Sequence, residues 1–507
     1  MTSTSILLRI ALPFTLLVAS TANAGDAIDT RVAFTFADDD ILKGPEESVT
    51  GSPSIPNSLP SADNRLFFDD YEKRDTGFEN LTHLALYAHQ PGFFEGLDTE
   101  AALVLRAEVR DEGDVRLRDD GSYLKLTQQI SDMQLALTAF PVSADRFRLG
   151  YSYDISWGGS SIFKNSKAAP GVRVDLKTES IGAFIGAKTG LGQVTKEDGN
   201  VEVDTVWGVL GGAAIDVVDE LRMEWGAGYF YRGTIDKNEL RVLQEGRFKT
   251  AQWQGFGGSM QFVYHIGMPI GVPIDFRLYK NDPLQREVFF KEETYGKGIS
   301  FLVQSEFSVL GQTLQDPEFP KTTTVQWGAA GDVTARLKIG KARLHALAVY
   351  RDLAFILFNV PSLSPFVDLP DAITAEPELF ASAGCDYYLE DARLTPGLTL
   401  GIQRPAKVTG ATNADASAAQ ILGQQTLVVR SPTDFQPMNP GDDVAVIFAA
   451  KLTTRWDLSE VIAAIGEFQV SHDPNRRRLV QDLYGITTYG DEDPMILGFN
   501  IMLRARF

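Results

Sequence analysis

The stretch LRMEWGAGYFYR, residues 221–232, alternates between two kinds of side chain with a single exception. One parity is apolar or aromatic, and comprises Met223, Trp225, Ala227, Tyr229 and Tyr231. The other parity, broken only by Phe230, comprises Arg222, Glu224, Gly226, Gly228 and Arg232. A period of two residues belongs to a β-strand with one apolar and one polar face, because a helix would repeat every 3.6 residues. The stretch therefore predicts an amphipathic strand.

The same alternation recurs along the chain, and the clearest further stretches are residues 103–109, 147–157, 172–177, 274–278, 333–339, 342–350 and 444–452. Several of these strands are long enough to cross a bilayer at a tilt, which takes about 9–11 residues, whereas strands of soluble sheets average about 5–6. The pattern predicts an all-β fold, a single transmembrane antiparallel β-barrel of about 16–20 strands, with 18 as the best estimate.

Composition excludes several other classes of protein. The chain has 507 residues, a net charge of −20 and a single cysteine, Cys385. One cysteine permits neither an intramolecular disulfide nor a cysteine-rich zinc site, and the acidic balance argues against nucleic acid as a partner. Cys385 shares its parity with Ala381, Ala383 and Tyr387, so we expect it to face lipid.

The N-terminal residues have the order of a secretory signal peptide. Arg9 precedes an apolar stretch over 10–19, and Ala22-Asn23-Ala24 provides a small-residue cleavage site. We therefore expect residues 1–24 to be removed and residues 25–507 to form the barrel. After residue 24 no run of 18 apolar residues occurs, so export without a membrane helix leaves the periplasm, secretion or the outer membrane.

The connections between predicted strands differ in length. Short ones such as 457–459 contrast with long ones rich in Pro, Gly, Asp and Ser, which are 37–80, 281–298, 361–377 and 410–424. Outer-membrane barrels have short periplasmic turns and longer extracellular loops, so these four segments are predicted to be extracellular. Aromatic residues at the ends of apolar faces, namely Trp157, Tyr231, Tyr350 and Trp456, are predicted to lie at the headgroup level.

The C-terminal strand carries a family resemblance. Phe499, Ile501, Leu503 and Phe507 occupy alternate positions and end on an aromatic residue. This resembles the last strand of Gram-negative outer-membrane β-barrels, and the whole chain resembles a porin-like barrel, although no specific porin family is matched. The resemblance implies that these residues are an assembly signal for the barrel-assembly machinery, that the protein lies in the bacterial outer membrane, and that it forms a pore.

The polar faces of the strands supply candidate pore-lining residues. They are Arg106, Glu108, Arg148, Asp154, Arg173, Asp175, Arg222, Glu224, Arg277, Arg336, Arg343, Arg455, Arg504 and Arg506. Rings of charge in a water-filled lumen set solute selectivity, whereas the same residues could instead form a rigid lattice of ion pairs. Arginine exceeds acid in this set although the chain is acidic, so a preference for anions is a hypothesis. Inward glycines near Gly226, Gly228, Gly257 and Gly258 are expected to leave room for cargo.

The predicted function is passage of small hydrophilic solutes across the outer membrane. The alternatives are a secretion channel for an exopolysaccharide or other polymer, with inward Tyr and Trp as sugar-stacking surfaces, and a structural or assembly barrel with a filled lumen. An enzyme is disfavoured, since His83 and His89 lie in no nucleophile motif such as G-x-S-x-G.

We expect no cofactor and no bound metal. Acidic clusters such as Asp38-Asp39-Asp40 and Asp442-Asp443 could hold Ca²⁺ or Mg²⁺, but solvated loops are the favoured interpretation because EF-hand spacing is absent. The expected partners are outer-membrane lipid, lipopolysaccharide and the transported solutes. The sequence assigns no oligomeric state.

Overall fold

In a computed structural model, the chain is described over residues 28–38, 40–42, 80–109, 115–143, 147–150, 155–158, 169–195, 201–236, 250–270, 298–316, 319, 322–358, 373–409, 426–431, 434–439, 442–481 and 487–507. The predictions for 1–24, for Asp154, for the strand over 274–278 with Arg277, and for the loop 410–424 fall outside these residues. Within the described residues, no helix has the length and hydropathy needed to cross a membrane.

The described part of the chain forms 25 strands and one short helix. They are β1 (Ile28–Asp38), β2 (Asn80–Pro91), β3 (Leu97–Val109), β4 (Val115–Asp119), β5 (Tyr123–Ile130), β6 (Met133–Phe140), β7 (Gly171–Lys177), β8 (Ile181–Thr195), β9 (Val201–Val218), β10 (Leu221–Asp236), β11 (Thr250–Ile266), β12 (Ile299–Gln315), β13 (Thr323–Ile339), β14 (Ala342–Arg351), α1 (Leu353–Phe358), β15 (Thr374–Glu376), β16 (Glu378–Tyr387), β17 (Leu394–Arg404), β18 (Ala406–Thr409), β19 (Thr426–Ser431), β20 (Asp434–Pro437), β21 (Ile447–Asp457), β22 (Ile462–His472), β23 (Arg477–Gln481), β24 (Thr487–Asp491) and β25 (Met495–Arg506).

Antiparallel pairing closes 18 strands of the described chain into a barrel. β25 pairs with β1, from Arg31 opposite Arg506 to Asp38 opposite Phe499. β4 and β5 together form one barrel strand, because both pair with β3. Closure pairs the edge of the sheet with itself, which is what a sheet needs in hydrocarbon, where no water can satisfy backbone groups. The fold class and the best estimate of 18 strands are confirmed.

The smaller strands lie outside the barrel wall. β15, β18, β19 and β20 form a four-stranded sheet, and β23 pairs with β24. Apolar side chains of this sheet, Val408 and Val429, pack against Leu353, Ile356 and Leu357 of α1. The sheet and the helix therefore share a small core of their own.

Connections of two lengths separate the two ends of the barrel. Between β5 and β6, β9 and β10, and β13 and β14 only two residues intervene, and both described ends of the chain lie at this end, which we call the turn rim. The opposite end, the loop rim, carries the long connections from β1 to β2 and from β17 to β21. The connection that contains 281–298 is an exception, because it joins β11 to β12 at the turn rim, opposite to the predicted rim.

The outward side chains form an apolar belt. Leu137, Ile185 and Leu503 are each about half exposed on alternate positions of their strands. A surface of this kind is covered by lipid in a membrane barrel, whereas soluble proteins avoid it. Cys385 lies on this outward face, as predicted. The fold is thus that of an outer-membrane β-barrel.

Three of the four predicted interface aromatics lie on the outward face. Trp456 is exposed near the turn rim, Tyr350 is exposed near the loop rim, and Tyr231 stacks on Trp207 with ring centroids 6.2 Å apart. Trp157 does not, because it is 1% exposed and packs edge-on against Phe230, whose side chain faces the lumen.

The prediction of a barrel strand over 147–157 is wrong for the same reason. Its alternation is real, but β6 ends at Phe140, β7 begins at Gly171, and these two strands pair directly with each other. The residues described between them instead fold into the lumen. An apolar face at period two reports burial on one side, and it does not say whether the covering surface is lipid or the inside of the barrel.

Candidate pore and constriction

A segment of the chain between β6 and β7 enters the barrel, and we call its described residues 147–150 and 155–158 the inward segment. Its two parts pair through a bridge in which the Leu149 amide donates to the Trp157 carbonyl at 2.9 Å. Phe147, Leu149 and Trp157 are all at most 2% exposed. The apolar face predicted for lipid is therefore buried against the lumen wall.

Glycines of the wall make the space for the inward segment. A Cβ at Gly226 would lie 2.6 Å from Leu149 Cδ2, and a Cβ at Gly186 would lie 2.6 Å from Phe147 Cζ. Such distances are sterically excluded, so any larger residue would push the segment away. The space beside Gly226, which was predicted to leave room for cargo, is thus occupied by the chain itself.

The other glycines singled out in the sequence have different surroundings. A Cβ at Gly228 would meet the Leu210 and Trp157 side chains, and one at Gly257 would meet the backbone of β12. Gly258 has the opposite parity and belongs to the outward face of β11. None of these three positions is open lumen.

Polar contacts anchor the inward segment as well. Lys188 on β8 is 2% exposed and donates from Nζ to the Phe147 carbonyl at 2.5 Å. Gly150, at a φ of 102°, lies against Glu306, where a Cβ would be 1.8 Å from the carboxylate oxygen. Only glycine adopts this backbone conformation freely and fits this contact. A buried cation that binds a carbonyl would be costly to leave without that partner.

A cavity of about 250 Å³ lies between the inward segment and the turn rim. Its lining includes five cationic and three anionic side chains, namely Lys125, Arg148, Arg173, Lys177 and Arg222 together with Asp175, Asp216 and Glu224. The cavity wall is therefore basic on balance, although the chain as a whole is acidic.

Contacts within the cavity hold its charges in place. Arg173 Nη2 lies 2.6 Å from Asp175 Oδ1, and its guanidinium stacks over the Phe184 ring at 4.0 Å. Arg222 lies between two carboxylates, 2.9 Å from Asp216 and 2.5 Å from Glu224. Paired and stacked arginines are preorganised, so their charges present a fixed field to a solute.

The structure thus brings together Arg148, Arg173, Asp175, Arg222 and Glu224 of the predicted pore-lining set. Arg148 comes from the inward segment rather than from a wall strand, and its Nη1 donates to Ser156 Oγ at 3.2 Å. It thereby completes the cavity from the lumen side.

The remaining predicted residues are distributed around the wall. Arg106 and Arg504 are buried on the inward face, and Arg106 Nη1 lies 4.0 Å from Asp120. Arg343 pairs with Asp386, and Arg455 Nη2 lies 2.5 Å from Asp457. The others are Arg336, which has the inward parity of β13; Arg506, which reaches Asp29 at 2.9 Å at the turn rim; and Glu108, of which only the backbone is described.

The predicted pore-lining set lacks three cavity residues, Lys125, Lys177 and Asp216, although the alternation over 172–177 places Lys177 on the polar face. Each occupies the polar parity of a strand, as the registers of β5 with β6, of β6 with β7 and of β9 with β10 show. Strict alternation applied to those strands would have found them. Lys188 could not be found in this way, because nothing in its parity indicates that it binds a carbonyl from another part of the chain.

The two histidines considered as candidate enzyme residues differ in burial and in the carboxylate that each lies near. His83 is fully buried, with Nε2 at 3.6 Å from Asp120 Oδ2. His89 is about half exposed near the turn rim, 3.8 Å from Asp98. Each histidine ring therefore lies near a different carboxylate.

The acidic clusters that the structure describes pair with lysine and arginine side chains. Asp443 Oδ1 accepts from Lys407 Nζ at 2.9 Å, and this hydrogen bond lowers the pKa of the Asp443 carboxyl. Glu492 lies 3.0 Å from Arg476. In the described part of the chain, no group of three or more metal-ligating side chains converges.

The closed barrel, its apolar belt and the occupied lumen define the class: a porin-like outer-membrane β-barrel. No model of a protein family matches the chain, and no curated protein sequence matches it.

Solved structures similar to this chain include OprD, an outer membrane protein from Pseudomonas aeruginosa, with a TM-score of 0.43 and 8% identity over 95% of this chain and 93% of that chain. OccAB2 of Acinetobacter baumannii has a TM-score of 0.44 and 6% identity over 95% and 97%. OpdQ of P. aeruginosa has a TM-score of 0.41 and 9% identity over 95% and 97%. The role of the lumen is therefore inferred from this chain's own residues.

Proposed function

We propose that the chain is an outer-membrane channel for small hydrophilic solutes. One observation carries the proposal: the inward segment is fastened to the lumen wall and bounds a charged cavity on its turn-rim side. A chain segment folded into a barrel narrows the lumen without sealing it by a separate domain. Such a constriction limits passage to small solutes and leaves the rest of the barrel as a scaffold.

The finer proposal is a preference for anions. Five cations against three carboxylates line the cavity, and Arg148 supplies positive charge from the side of the inward segment. In a space with low-dielectric walls, a net positive lining raises the local concentration of anions. The predicted pore-lining role is accordingly assigned to Arg148, and to Arg173 and Arg222 with their partner carboxylates, and not to the whole predicted set.

The test is electrical recording of the refolded chain in a planar bilayer with a salt gradient. We expect discrete open-channel steps and a reversal potential of the sign given by anion preference. The variant Arg148→Glu should shift the reversal potential toward cation preference, since it replaces one positive charge with one negative charge. A matched control is Arg455→Glu, outside the cavity lining. A wild-type barrel selective for cations would contradict the finer proposal and leave the channel proposal standing.

The two alternative functions make different predictions for the same recording. A structural barrel with a filled lumen gives no open-channel steps. A polymer secretion channel needs aromatic surfaces for sugar stacking, but Trp157 and Trp253 are at most 2% exposed and are packed against Phe230 and Arg232. Their burial favours small solutes over a polymer.

The ends of the chain complete the proposal. We propose that residues 1–24 direct export and that Phe499, Ile501, Leu503 and Phe507 are read during assembly. The Phe507 amide donates to the Thr30 carbonyl at 2.9 Å, so the last residue takes part in closing the barrel. Deleting Phe507 should lower the yield of assembled barrel, as measured by heat-modifiable mobility on gels. We assign no enzymatic activity.

A further inference from the structure

The connection between β2 and β3 exposes two adjacent phenylalanines at the turn rim. Phe93 is 103% exposed and Phe94 is 74% exposed, the two highest values among the large apolar side chains of the described residues. Apolar residues exposed singly need no explanation, whereas adjacent exposed aromatic rings form a patch of the kind that marks an interaction surface. We call residues 92–97 the Phe turn.

Hydrogen bonds hold the Phe turn in one shape. The Gly92 amide donates to the Leu97 carbonyl at 2.6 Å, which closes the turn. The Gln129 amide of β5 donates to the Gly96 carbonyl at 2.7 Å, and Gly96 has a φ of 77°, which glycine adopts freely. The two aromatic rings are therefore presented by a preorganised backbone, which lowers the entropic cost of binding a partner.

The Phe turn lies beyond the apolar belt of its own hairpin. The outward face of β2 is apolar from Leu84 to Ala88, and Ala88 pairs with Ala101 of β3. The next outward pair toward the turn rim is Gln90 and Thr99, in which Thr99 Oγ1 donates to the Gln90 carbonyl at 2.8 Å. Because the short turns of such barrels are periplasmic, the two aromatic rings stand on the periplasmic side of this polar pair.

The short turns at this rim are acidic. In the described chain these are the turns that follow β2, β5, β7, β9, β13, β16 and β21, and all but the turn after β13 carry an exposed carboxylate. Their cations are Lys341, which lies 2.6 Å from Glu390, and Arg393. Their carboxylates, which we call the turn-rim carboxylates, are Glu95, Asp132, Glu179, Asp219, Glu220, Glu390, Asp391 and Glu460.

The turn-rim carboxylates narrow the choice of partner. Phospholipid headgroups carry phosphate, and a second copy of the barrel would present the same carboxylates, so like charge opposes both of these occupants. A positively charged surface is attracted instead, and the attraction accelerates its association. Burial of the Phe93 and Phe94 rings requires that this surface also contain an apolar pocket.

We propose that the Phe turn is the docking site of a periplasmic protein with an apolar pocket bordered by Lys and Arg side chains. Phe93 and Phe94 fill the pocket. Glu95 and Asp132, which belong to the Phe turn and to the adjoining turn after β5, pair with its basic border. The site lies outside the lumen, so this proposal stands or falls separately from the channel proposal.

The first experiment is photo-crosslinking of the full chain in intact cells of its bacterial host, with Phe94 replaced by p-benzoylphenylalanine. We expect one discrete adduct with another exported protein. Adding Phe93→Ser, or Glu95→Lys together with Asp132→Lys, should lower the adduct yield at least about tenfold, because the first removes an aromatic anchor and the second reverses the charge beside it. Phe93→Tyr should retain most of the yield.

The matched control is Asp219→Lys together with Glu220→Lys, the same double charge reversal in the turn after β9, which should leave the adduct yield within about twofold. Heat-modifiable mobility on gels checks that every variant assembles. Absence of an adduct, an adduct with lipid or with a second copy of the chain, and a protein adduct that Glu95→Lys with Asp132→Lys leaves unchanged would each overturn the proposal.

A second measurement separates water from lipid at the Phe turn. Phe93→Cys in a Cys385→Ser background carries a nitroxide label in the barrel reconstituted into phosphatidylcholine vesicles, and Ala101→Cys in the same background is the lipid-facing control. We expect a water-soluble nickel complex to relax the label at position 93, and oxygen to relax the label at position 101. Relaxation at position 93 by oxygen rather than nickel would place the rings in the bilayer and overturn the proposal.

Discussion

Two walls of the lumen use inward residues in opposite ways. The docking wall, β7 to β11, presents glycines against which the inward segment packs, and its charges border a cavity. The paired wall, β14 to β22, closes its charges on one another: Arg351 Nη2 lies 2.7 Å from Glu378 Oε1, and Gln403 donates to the same carboxylate at 2.9 Å. The same alternating pattern thus supports a constriction at the docking wall and a set of mutually paired charges at the paired wall.

The difference teaches that an inward charge is not by itself a pore residue. Glu378 is fully buried with both oxygens engaged, so it offers nothing to a solute. Arg222 is also paired, but it lines open space. What separates the two is their surroundings: Arg222 borders the cavity, whereas both carboxylate oxygens of Glu378 are taken up by Arg351 and Gln403.

The largest expected effect comes from a substitution that breaks a buried ion pair of the paired wall. Arg351→Met leaves the buried Glu378 carboxylate without its cation, and breaking such a pair costs about 3–5 kcal/mol. We expect a lower free energy of unfolding in urea titrations of the barrel in lipid vesicles. Reversal potentials should stay unchanged, because the pair is outside the cavity. A shift in selectivity would show that the paired wall also conducts.

The next effect loosens the docking wall. Lys188→Met removes the hydrogen bond from a charged group to the Phe147 carbonyl, which contributes about 1.5–3 kcal/mol. We expect the inward segment to detach part of the time, giving a noisier and larger single-channel conductance. A quiet wild-type current in this variant would mean that Lys188 does not hold the constriction.

A bulkier residue in the docking wall also tests whether the inward segment forms the constriction. Gly226→Val places methyl groups where Leu149 lies, at an overpacking cost of about 1–3 kcal/mol that the segment can avoid by moving away. Conductance should rise. The matched control is Gly182→Val on the same wall, where a Cβ meets no atom closer than 3.8 Å, so the segment should remain in place.

The smallest effect concerns the loop rim. The hydrogen bond from Lys407 lowers the pKa of the Asp443 carboxyl in the folded state below its ordinary value of 3.8. The stability that this pair contributes is therefore present at neutral pH and is lost as the pH falls through the lowered pKa. The carboxyl is fully exposed and screened by salt. Asp443→Asn should leave thermal stability at pH 7 almost unchanged, and the small difference should shrink as the pH is lowered below 3.8.

The fold could be predicted from the sequence because each strand of a barrel alternates outward apolar side chains with inward polar ones. Alternation along many stretches such as 221–232, together with the terminal Phe507, predicted an outer-membrane barrel of about 16–20 strands, with 18 as the best estimate. The same rule misplaced 147–157, since Phe147 and Trp157 are buried on one side whether lipid or a glycine-lined wall covers them. Side-chain parity likewise identified Arg173 and Arg222, but their cavity depends on chain segments far apart in sequence, such as Arg148 against β10.

The most direct test of the channel asks whether the cavity is on the conduction path. Gly182→Cys in a Cys385→Ser background places a single thiol in the cavity lining, and Ala101→Cys in the same background places one on the outward face. A charged methanethiosulfonate reagent added during single-channel recording should block the current of the first and leave the second unchanged. An open channel with Gly182→Cys modified and its current unaltered would contradict the account.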